Sequence, residues 1–249
     1  MFAMKIFAGK KALLVGGSGG IGAALSVLLA ENGAEVIVHA GHQSEKCDAL
    51  MKRIRALSPA SSSFVQPLSA KDFSRLEETP LLAHAEVCDI LCVCYGPFVQ
   101  KSLEETTAED WQMLSLMDYA LPGLLVSKAL PRMQEKKWGR ILLFGGTGTE
   151  RRTIFRTNAA YGGAKAGLNV VVHTVSALYG KAGITCNAVL PAPTFTEYTR
   201  DAEVLAEKLP GGSLLSPEEV ASAGLFLLQN DRLNGVLLPV DRGWNPSFS

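Results

Sequence analysis

Residues Val15–Gly22 read V-G-G-S-G-G-I-G and hold five glycines in eight positions. The stretch follows an apolar run, Ala12–Val15, that favours a β-strand, and it precedes an uncharged segment that favours an α-helix. Glycines at such a junction let the chain turn tightly and let the backbone approach a pyrophosphate, whose charge the helix amino terminus stabilises. The stretch therefore predicts a strand–loop–helix unit that binds a dinucleotide.

The same letters allow a rival interpretation, because Gly16–Gly20 also spell the G-x-S-x-G nucleophile elbow of serine hydrolases, with Ser18 as the nucleophile. That chemistry needs a histidine in a late loop. The last histidine, His173, falls within a predicted helix, so phosphate binding is favoured. Five glycines also make Val15–Gly22 a poor apolar helix, which argues against a signal peptide or membrane span and predicts a cytoplasmic protein.

The rest of the chain repeats the alternation of strand and helix. Predicted strands lie at 12–15, 35–39, 63–66, 89–94, 140–144, 184–190 and 235–240, and predicted helices at 20–32, 43–57, 71–84, 107–135, 158–180 and 217–229. This order predicts an α/β protein with a single-domain, doubly wound Rossmann fold over residues 1–249. We expect a seven-stranded parallel sheet with three helices on each face, and a substrate lid in the irregular segment 191–215.

The composition of the chain argues against some classes of binding partner. The formal net charge is zero, so the chain has no basic field for nucleic acid, and we expect neither a nucleic-acid nor a membrane partner. Cys92 and Cys94 lie close in sequence, but no further Cys or His completes a ligand set, so no metal site is predicted. Five cysteines, an odd number, fit a reducing compartment.

The end of the second strand bears on the choice of cofactor. An Asp or Glu at this place would bind the ribose 2′-hydroxyl of NAD(H), and the segment 39–42 has none. A 2′-phosphate would not be repelled here, so NADP(H) is the preferred cofactor and NAD(H) stays open. The side chains that we expect to contact the phosphate are His39, His42, Ser44 and Lys46.

Several ordered motifs make the chain, from about residue 9 to residue 244, resemble a classical short-chain dehydrogenase/reductase, similar to the 3-oxoacyl-carrier-protein reductases. The glycine loop is similar to T-G-x-x-x-G-x-G, with Val15 in place of threonine. Y-G-G-A-K at 161–165 matches Y-x-x-x-K. The segments 89–96 and 187–196 resemble D-x-L-V-N-N-A-G and N-x-V-x-P-G-x-x-x-T, although the Asn-Asn-Ala is lost and Ala192 replaces glycine.

The resemblance implies hydride exchange between a nicotinamide and an alcohol or ketone. Tyr161 is then the catalytic acid and base, and Lys165, one helical turn away, is expected to lower the pKa of the phenol and to hold the nicotinamide ribose. Thr194 and Thr196 lie where the family contacts the nicotinamide carboxamide. The residues expected to contact the cofactor are Gly16, Ser18, Gly20, Ile21, Gly22, His39, His42, Gly96, Tyr161, Lys165, Thr194 and Thr196.

Two catalytic positions depart from the family pattern. Its asparagine falls at Asp118, whose carboxylate can also accept a hydrogen bond from water. Its serine falls at Gly146, which has no side chain. Thr147 and Thr149 are the nearest hydroxyls, and Thr147 is predicted to replace the serine as the donor to the substrate oxygen.

The sequence says less about the identity of the substrate and about whether the protein is active. Arg151, Arg152 and Arg156 lie beside the expected cleft, which favours an anionic substrate such as a 3-oxoacyl thioester, and a solvated loop is the alternative. The lost serine and asparagine keep a second interpretation open, a catalytically impaired nucleotide-binding or scaffolding relative. In the family, the helices at 107–135 and 158–180 pair between subunits, so the resemblance implies a homodimer or homotetramer.

Overall fold

The computed structural model describes residues 5–197, 199 and 201–244, and its centre is one parallel sheet. The strands are β1 (Lys11–Val15), β2 (Glu35–Ala40), β3 (Ser62–Val65), β4 (Ile90–Val93), β5 (Gly139–Phe144), β6 (Ile184–Pro191) and β7 (Leu237–Val240). Their order in the sheet is β3-β2-β1-β4-β5-β6-β7, and every neighbouring pair is parallel. The predicted seven-stranded Rossmann sheet is confirmed.

Helices cover both faces of the sheet. They are α1 (Gly20–Glu31), α2 (Glu45–Leu57), α3 (Pro80–Val87), α4 (Ala108–Ser115), α5 (Leu121–Lys136), α6 (Ala159–Tyr179), α7 (Ala202–Glu207) and α8 (Pro217–Gln229). One apolar core lies between the sheet and α1, α2 and α8, and the other lies between the sheet and α3, α5 and α6. Strands buried on both faces explain why the central strands read as continuous apolar runs.

The topology brings the chemistry-bearing loops together. The direction in which successive strands are added reverses between β1 and β4, which are neighbours in the sheet. Ligands of such sheets bind outside the carboxyl ends of the strands at this reversal. The loops that follow β1, β4, β5 and β6 therefore meet at one edge of the sheet.

One predicted helix and one predicted irregular segment differ from the elements observed. The helix expected over 71–84 is a 3₁₀ helix, Ala70–Glu78, followed by α3. Thr79 is extended between them, because Pro80 disfavours helical backbone in the residue before it and itself opens α3. The segment predicted as an irregular lid contains the short helix α7, which the sequence pattern did not reveal.

The helix predicted over 107–135 runs from α4 to α5 through one wide π turn, Leu116–Ala120. Pro122 explains the π turn, because in a regular α-helix its ring would clash with the carbonyl of Asp118, four residues earlier. The wide turn relieves that clash and buries Asp118. The stretch Ala108–Lys136 is long and apolar enough to cross a membrane, but half of its most apolar window is buried within the protein.

Candidate active site

The glycine loop after β1 is held by backbone hydrogen bonds to the next strand and by one buried serine. The N–H of Gly17 donates to the carbonyl of His39, at 3.0 Å. The hydroxyl of Ser26, in the second turn of α1, donates to the carbonyls of Gly22 and Gly17 at 2.8 and 3.2 Å. A side chain at Gly22 would begin 2.2 Å from the carbonyl oxygen of Gly16, so only glycine fits where the loop closes on α1.

This loop fits a phosphate. Gly19 is the residue just before α1 and has no side chain to cap the helix. The first turn of α1 has no acidic residue. The first N–H groups of α1 are therefore left for an anion, and the helix dipole favours its charge. Gly16–Gly22 would hold the pyrophosphate of a dinucleotide, as the sequence predicted.

His39 has a structural role in place of the predicted contact with cofactor phosphate. Its ring is 1% exposed. Nδ1 accepts from the N–H of Gly16 at 3.1 Å, and Nε2 lies 2.8 Å from the carbonyl oxygen of Gln66. Burial lowers the pKa of His39, so the ring is neutral and ties the glycine loop to the segment after β3. The prediction that His39 contacts the 2′-phosphate is wrong, while His42 is exposed in the following loop.

The two residues of the Tyr-x-x-x-Lys motif meet at the carboxyl edge of β5. Both lie in the first two turns of α6, and the Lys165 Nζ is 5.8 Å from the centre of the Tyr161 ring. Lys165 is almost fully buried and donates to the carbonyl of Phe144, the last residue of β5, at 3.0 Å. The helix and the strand end thus orient the ammonium group beside the phenol.

Asp118 reaches this pair from the π turn. Its Oδ1 lies 2.9 Å from Nζ of Lys165, and both side chains are buried. Oδ2 accepts no hydrogen bond from any residue that the structure describes. A side chain at Gly96 would begin 2.2 Å from Oδ1 and 2.8 Å from Nζ, so the ion pair occupies the space that glycine leaves.

The aspartate changes the electrostatics of the phenol. Burial raises the pKa of Tyr161, the ammonium of Lys165 opposes that rise, and the negative Asp118 adds to it. Lys165 lowers the pKa of Tyr161 as expected, but burial and Asp118 outweigh it, so the pKa of the phenol is raised overall. Burial alone would lower the pKa of Lys165, but the attraction of Asp118 and Tyr161 outweighs it and keeps the lysine charged.

We expect Asp118→Asn to move the pH profile of alcohol oxidation to lower pH. The phenol must lose its proton to act as a base, and removing the carboxylate removes one cause of its raised pKa. The rising limb of kcat against pH, measured with the variant and the wild type, checks this shift. Asp72→Asn on the surface is the matched control and should leave the limb in place, whereas a shift to higher pH in Asp118→Asn would contradict the electrostatic argument.

Gly146 lies where a donor beside Tyr161 is expected. A Cβ built on Gly146 would lie 3.6 Å from the Tyr161 hydroxyl oxygen and 3.3 Å from Cγ2 of Thr149. The backbone of Gly146 does not have a positive φ, so a residue with a side chain fits its conformation. The geometry of the serine position is retained although its hydroxyl is absent.

Neither nearby threonine replaces that hydroxyl in this structure. The Thr147 hydroxyl donates to the carbonyl of Pro191 at 2.6 Å, and the buried Thr149 hydroxyl donates to the carbonyl of Gly146 at 2.8 Å. Thr147 thus connects the segment after β5 to the end of β6. The methyl group of Thr149 faces the Gly146 position. The prediction that the Thr147 hydroxyl faces Tyr161 as the serine's substitute finds no support in these contacts.

The segment after β6, which was predicted to be a lid, forms a turn of threonines beside the glycine loop. Thr199 donates to the carbonyl of Thr194 at 2.7 Å, and its hydroxyl accepts from the N–H of Thr196 at 2.9 Å. Cγ2 of Thr196 lies 3.0 Å from the position that a Cβ on Gly20 would take. The structure therefore brings Thr196 to the glycine loop, while the contact of Thr194 and Thr196 with the nicotinamide carboxamide stays a prediction. Residues 198 and 200 of the predicted lid lie outside the described residues.

Exposed apolar side chains lie in the loops that follow β4, β5 and β6, and one of them contacts Tyr161. Phe98, after β4, packs edge-on against Tyr161 with ring centres 4.9 Å apart and is still 58% exposed. Ile154 and Phe195, in the loops after β5 and β6, are 73% and 63% exposed. These three loops follow neighbouring strands. No motif pointed to Phe98, and only its place after a strand of the parallel sheet could have suggested it.

Two of the three arginines in this region are engaged within the protein. Arg151 lies 3.3 Å from Glu150 and 3.7 Å from Asp241. Arg152 lies over the ring of Phe155, 4.8 Å from its centre. Two of the three arginines that were expected to favour an anionic substrate are therefore already engaged by groups of the protein itself.

The chain's relationship to known proteins agrees with this geometry. A family model described as Enoyl-(Acyl carrier protein) reductase matches residues 16–245. A short-chain dehydrogenase/reductase of Stachybotrys chlorohalonatus is 29% identical over 96% of this chain and 98% of its own length. This chain is a short-chain dehydrogenase/reductase.

Further relatives within the short-chain dehydrogenase/reductases show the range of that similarity. Versicolorin reductase 1 of Aspergillus parasiticus is 27% identical, over 94% of this chain and 86% of its own. The crystal structure of a 3-oxoacyl (acyl-carrier-protein) reductase from Agrobacterium tumefaciens with NADP bound superposes with a TM-score of 0.84. It is 25% identical and covers 96% of this chain and 95% of its own. The predicted family and fold are thus confirmed, and the chain is an oxidoreductase by family.

Proposed function

We propose that this short-chain dehydrogenase/reductase is an NADP(H)-dependent oxidoreductase that interconverts a ketone and an alcohol on an apolar substrate. The observation that carries the proposal is the buried set of Tyr161, Lys165 and Asp118 at the carboxyl edge of the sheet, next to a loop that fits a pyrophosphate. An impaired relative has no need to keep an ammonium group buried beside a phenol, since burying such a charge is costly.

The chain's own residues would supply the proton chemistry. NADP(H), when bound, supplies or accepts the hydride. In reduction, the Tyr161 hydroxyl donates a hydrogen bond to the carbonyl oxygen and then its proton, and Lys165 stabilises the phenolate that remains. In oxidation the same phenolate accepts the alcohol proton. Asp118 holds Lys165 in place, and Phe144 fixes the direction of its ammonium group.

The exposed apolar side chains in the loops after β4, β5 and β6 support the substrate class. A carbonyl carbon next to Tyr161 would have its neighbouring groups against the exposed Phe98, and further apolar contact would come from Ile154 and Phe195. Burial of apolar surface contributes about 25 cal/mol per Å². A substrate with fused rings or another broad apolar body gains most from such walls. One relative of this chain is named a hydroxynaphthalene reductase, and naphthalene is a fused-ring compound.

A second candidate substrate is a 3-oxoacyl thioester. The superposed solved structure is a 3-oxoacyl reductase, and an acyl chain is also apolar. The two classes separate in a direct assay with purified protein and NADPH, with α-tetralone as the ring ketone and an acetoacetyl thioester of N-acetylcysteamine as the acyl substrate. Faster turnover of the ring ketone supports the first class, and faster turnover of the thioester supports the second. NADPH binding without turnover of any carbonyl compound would support the impaired relative.

For the cofactor, we expect NADPH to bind more tightly than NADH at low ionic strength. The end of β2 has no carboxylate to repel a 2′-phosphate, and Lys46 stands in the first turn of α2 beyond it. Salt screens exposed charges, so the preference should shrink between low and high ionic strength. Fluorescence titration of both cofactors at two salt concentrations measures this. Tighter binding of NADH at low salt would contradict the assignment.

A further inference from the structure

An ion pair connects the lid to the element that follows β2. Nζ of Lys46, in the first turn of α2, lies 2.5 Å from Oε2 of Glu197 in the segment after β6. The two residues are 151 positions apart in sequence, so the contact exists only in the folded chain. Both side chains reach solvent, which leaves the pair open to exchange of partners.

Glu197 also lies against the phosphate-binding loop. Its Oε1 is 3.4 Å from the position that a Cβ on Gly19 would take, at the amino end of α1. That end of the helix attracts negative charge. The Glu197 carboxylate therefore lies next to the two groups that would bind the phosphates of NADP(H), which are the amino end of α1 and the ammonium group of Lys46.

We propose that Glu197 is a specificity-determining residue that competes with the 2′-phosphate of NADP(H) for Lys46 and so couples the lid to the identity of the cofactor. The inference rests on the proposed dinucleotide function and deepens it. The 2′-phosphate is a stronger partner for Lys46 than a carboxylate, because it has more negative charge and three acceptor oxygens. Binding of NADP(H) exchanges the partner of Lys46 and releases the lid from α2.

Binding of NAD(H) leaves the ion pair of Lys46 and Glu197 in place. Its ribose presents neutral hydroxyls in place of the 2′-phosphate, and a hydroxyl does not displace a carboxylate from an ammonium group. The pair of Lys46 and Glu197 then persists beside bound NAD(H). Glu197 thus lowers the affinity for NADP(H) more than it lowers the affinity for NAD(H).

The test is a double-mutant cycle on dissociation constants, measured by fluorescence titration of NADPH and NADH without any turnover. Glu197→Gln is expected to tighten NADPH binding about 3- to 5-fold, the upper part of the range for an exposed ion pair, and NADH binding by less than about 1.5-fold. In a Lys46→Gln background the Glu197→Gln effect on NADPH should vanish. Glu203→Gln, an equal change of charge on the exposed surface of α7, is the matched control and should change neither constant.

The outcomes separate the two proposals. Three results would overturn the role of Glu197 but leave a dinucleotide-binding protein. Glu197→Gln could tighten the binding of both cofactors equally, Glu203→Gln could have the same effect, or the effect of Glu197→Gln could survive in the Lys46→Gln background. Absence of binding of both cofactors to wild type and variants, with unchanged thermal unfolding, would overturn the proposed function itself.

Discussion

Tyr161→Phe is expected to lower kcat on the order of 10³-fold, within the range that one positioned acid–base group contributes. The variant removes only the hydroxyl, and the ring contact with Phe98 and the place of the side chain on α6 are retained. The dissociation constant of NADPH should stay within a few-fold of wild type, because the phenol acts in the transition state. Single-turnover and steady-state rates with a working carbonyl substrate, together with NADPH titration, measure both effects.

Tyr179→Phe is the control for this loss. Tyr179 ends the same helix, 18 residues beyond Tyr161, and at 1.5 Å per residue it lies about 27 Å away. It should retain wild-type kcat. If Tyr161→Phe also retained wild-type turnover, the pairing of Tyr161 with Lys165 would have no catalytic meaning, and the spacing of the motif would be an accident of composition.

Gly146→Ser is expected to raise kcat, by about 10-fold or more, since loss of one oxyanion donor in other enzymes costs on the order of 10²-fold. The Cβ would lie 3.6 Å from the Tyr161 hydroxyl oxygen, so the new Oγ falls within reach of a substrate oxygen that Tyr161 also contacts. Contacts of 3.2 and 3.3 Å to Tyr161 Cε1 and Thr149 Cγ2 require shifts of only a few tenths of an ångström. Steady-state kinetics of carbonyl reduction measure the gain.

Gly146→Ala separates the hydroxyl from the added bulk. It places the same Cβ against Tyr161 and Thr149 without a donor, and we expect no gain or a small loss in kcat. An equal rise in both variants would assign the effect to packing. A fall in kcat for Gly146→Ser with NADPH binding intact would mean that the protein supplies the second donor elsewhere or that its substrate needs none.

Most of the fold could be predicted because its signals are local. Alternating apolar runs and helical patterns lie within short windows, and parallel strands require helical crossovers. All seven strands and both helical layers were predicted this way. The failures were also local in origin: Pro80 divides a predicted helix, and Pro122 opens the π turn that buries Asp118.

Local sequence was enough to predict the doubly wound sheet, the glycine loop at Gly16–Gly22 and the one-turn spacing of Tyr161 and Lys165, because each depends on neighbours along the chain. The burial and the electrostatic surroundings of those groups could be read only from the folded chain. Burial of His39 neutralises a residue that looked like a phosphate ligand, and Asp118 offsets the charge of Lys165 beside the phenol. Desolvation and Coulomb interactions depend on distance through space, and the pair of Lys46 and Glu197, 151 positions apart, forms only when the sheet brings their loops together.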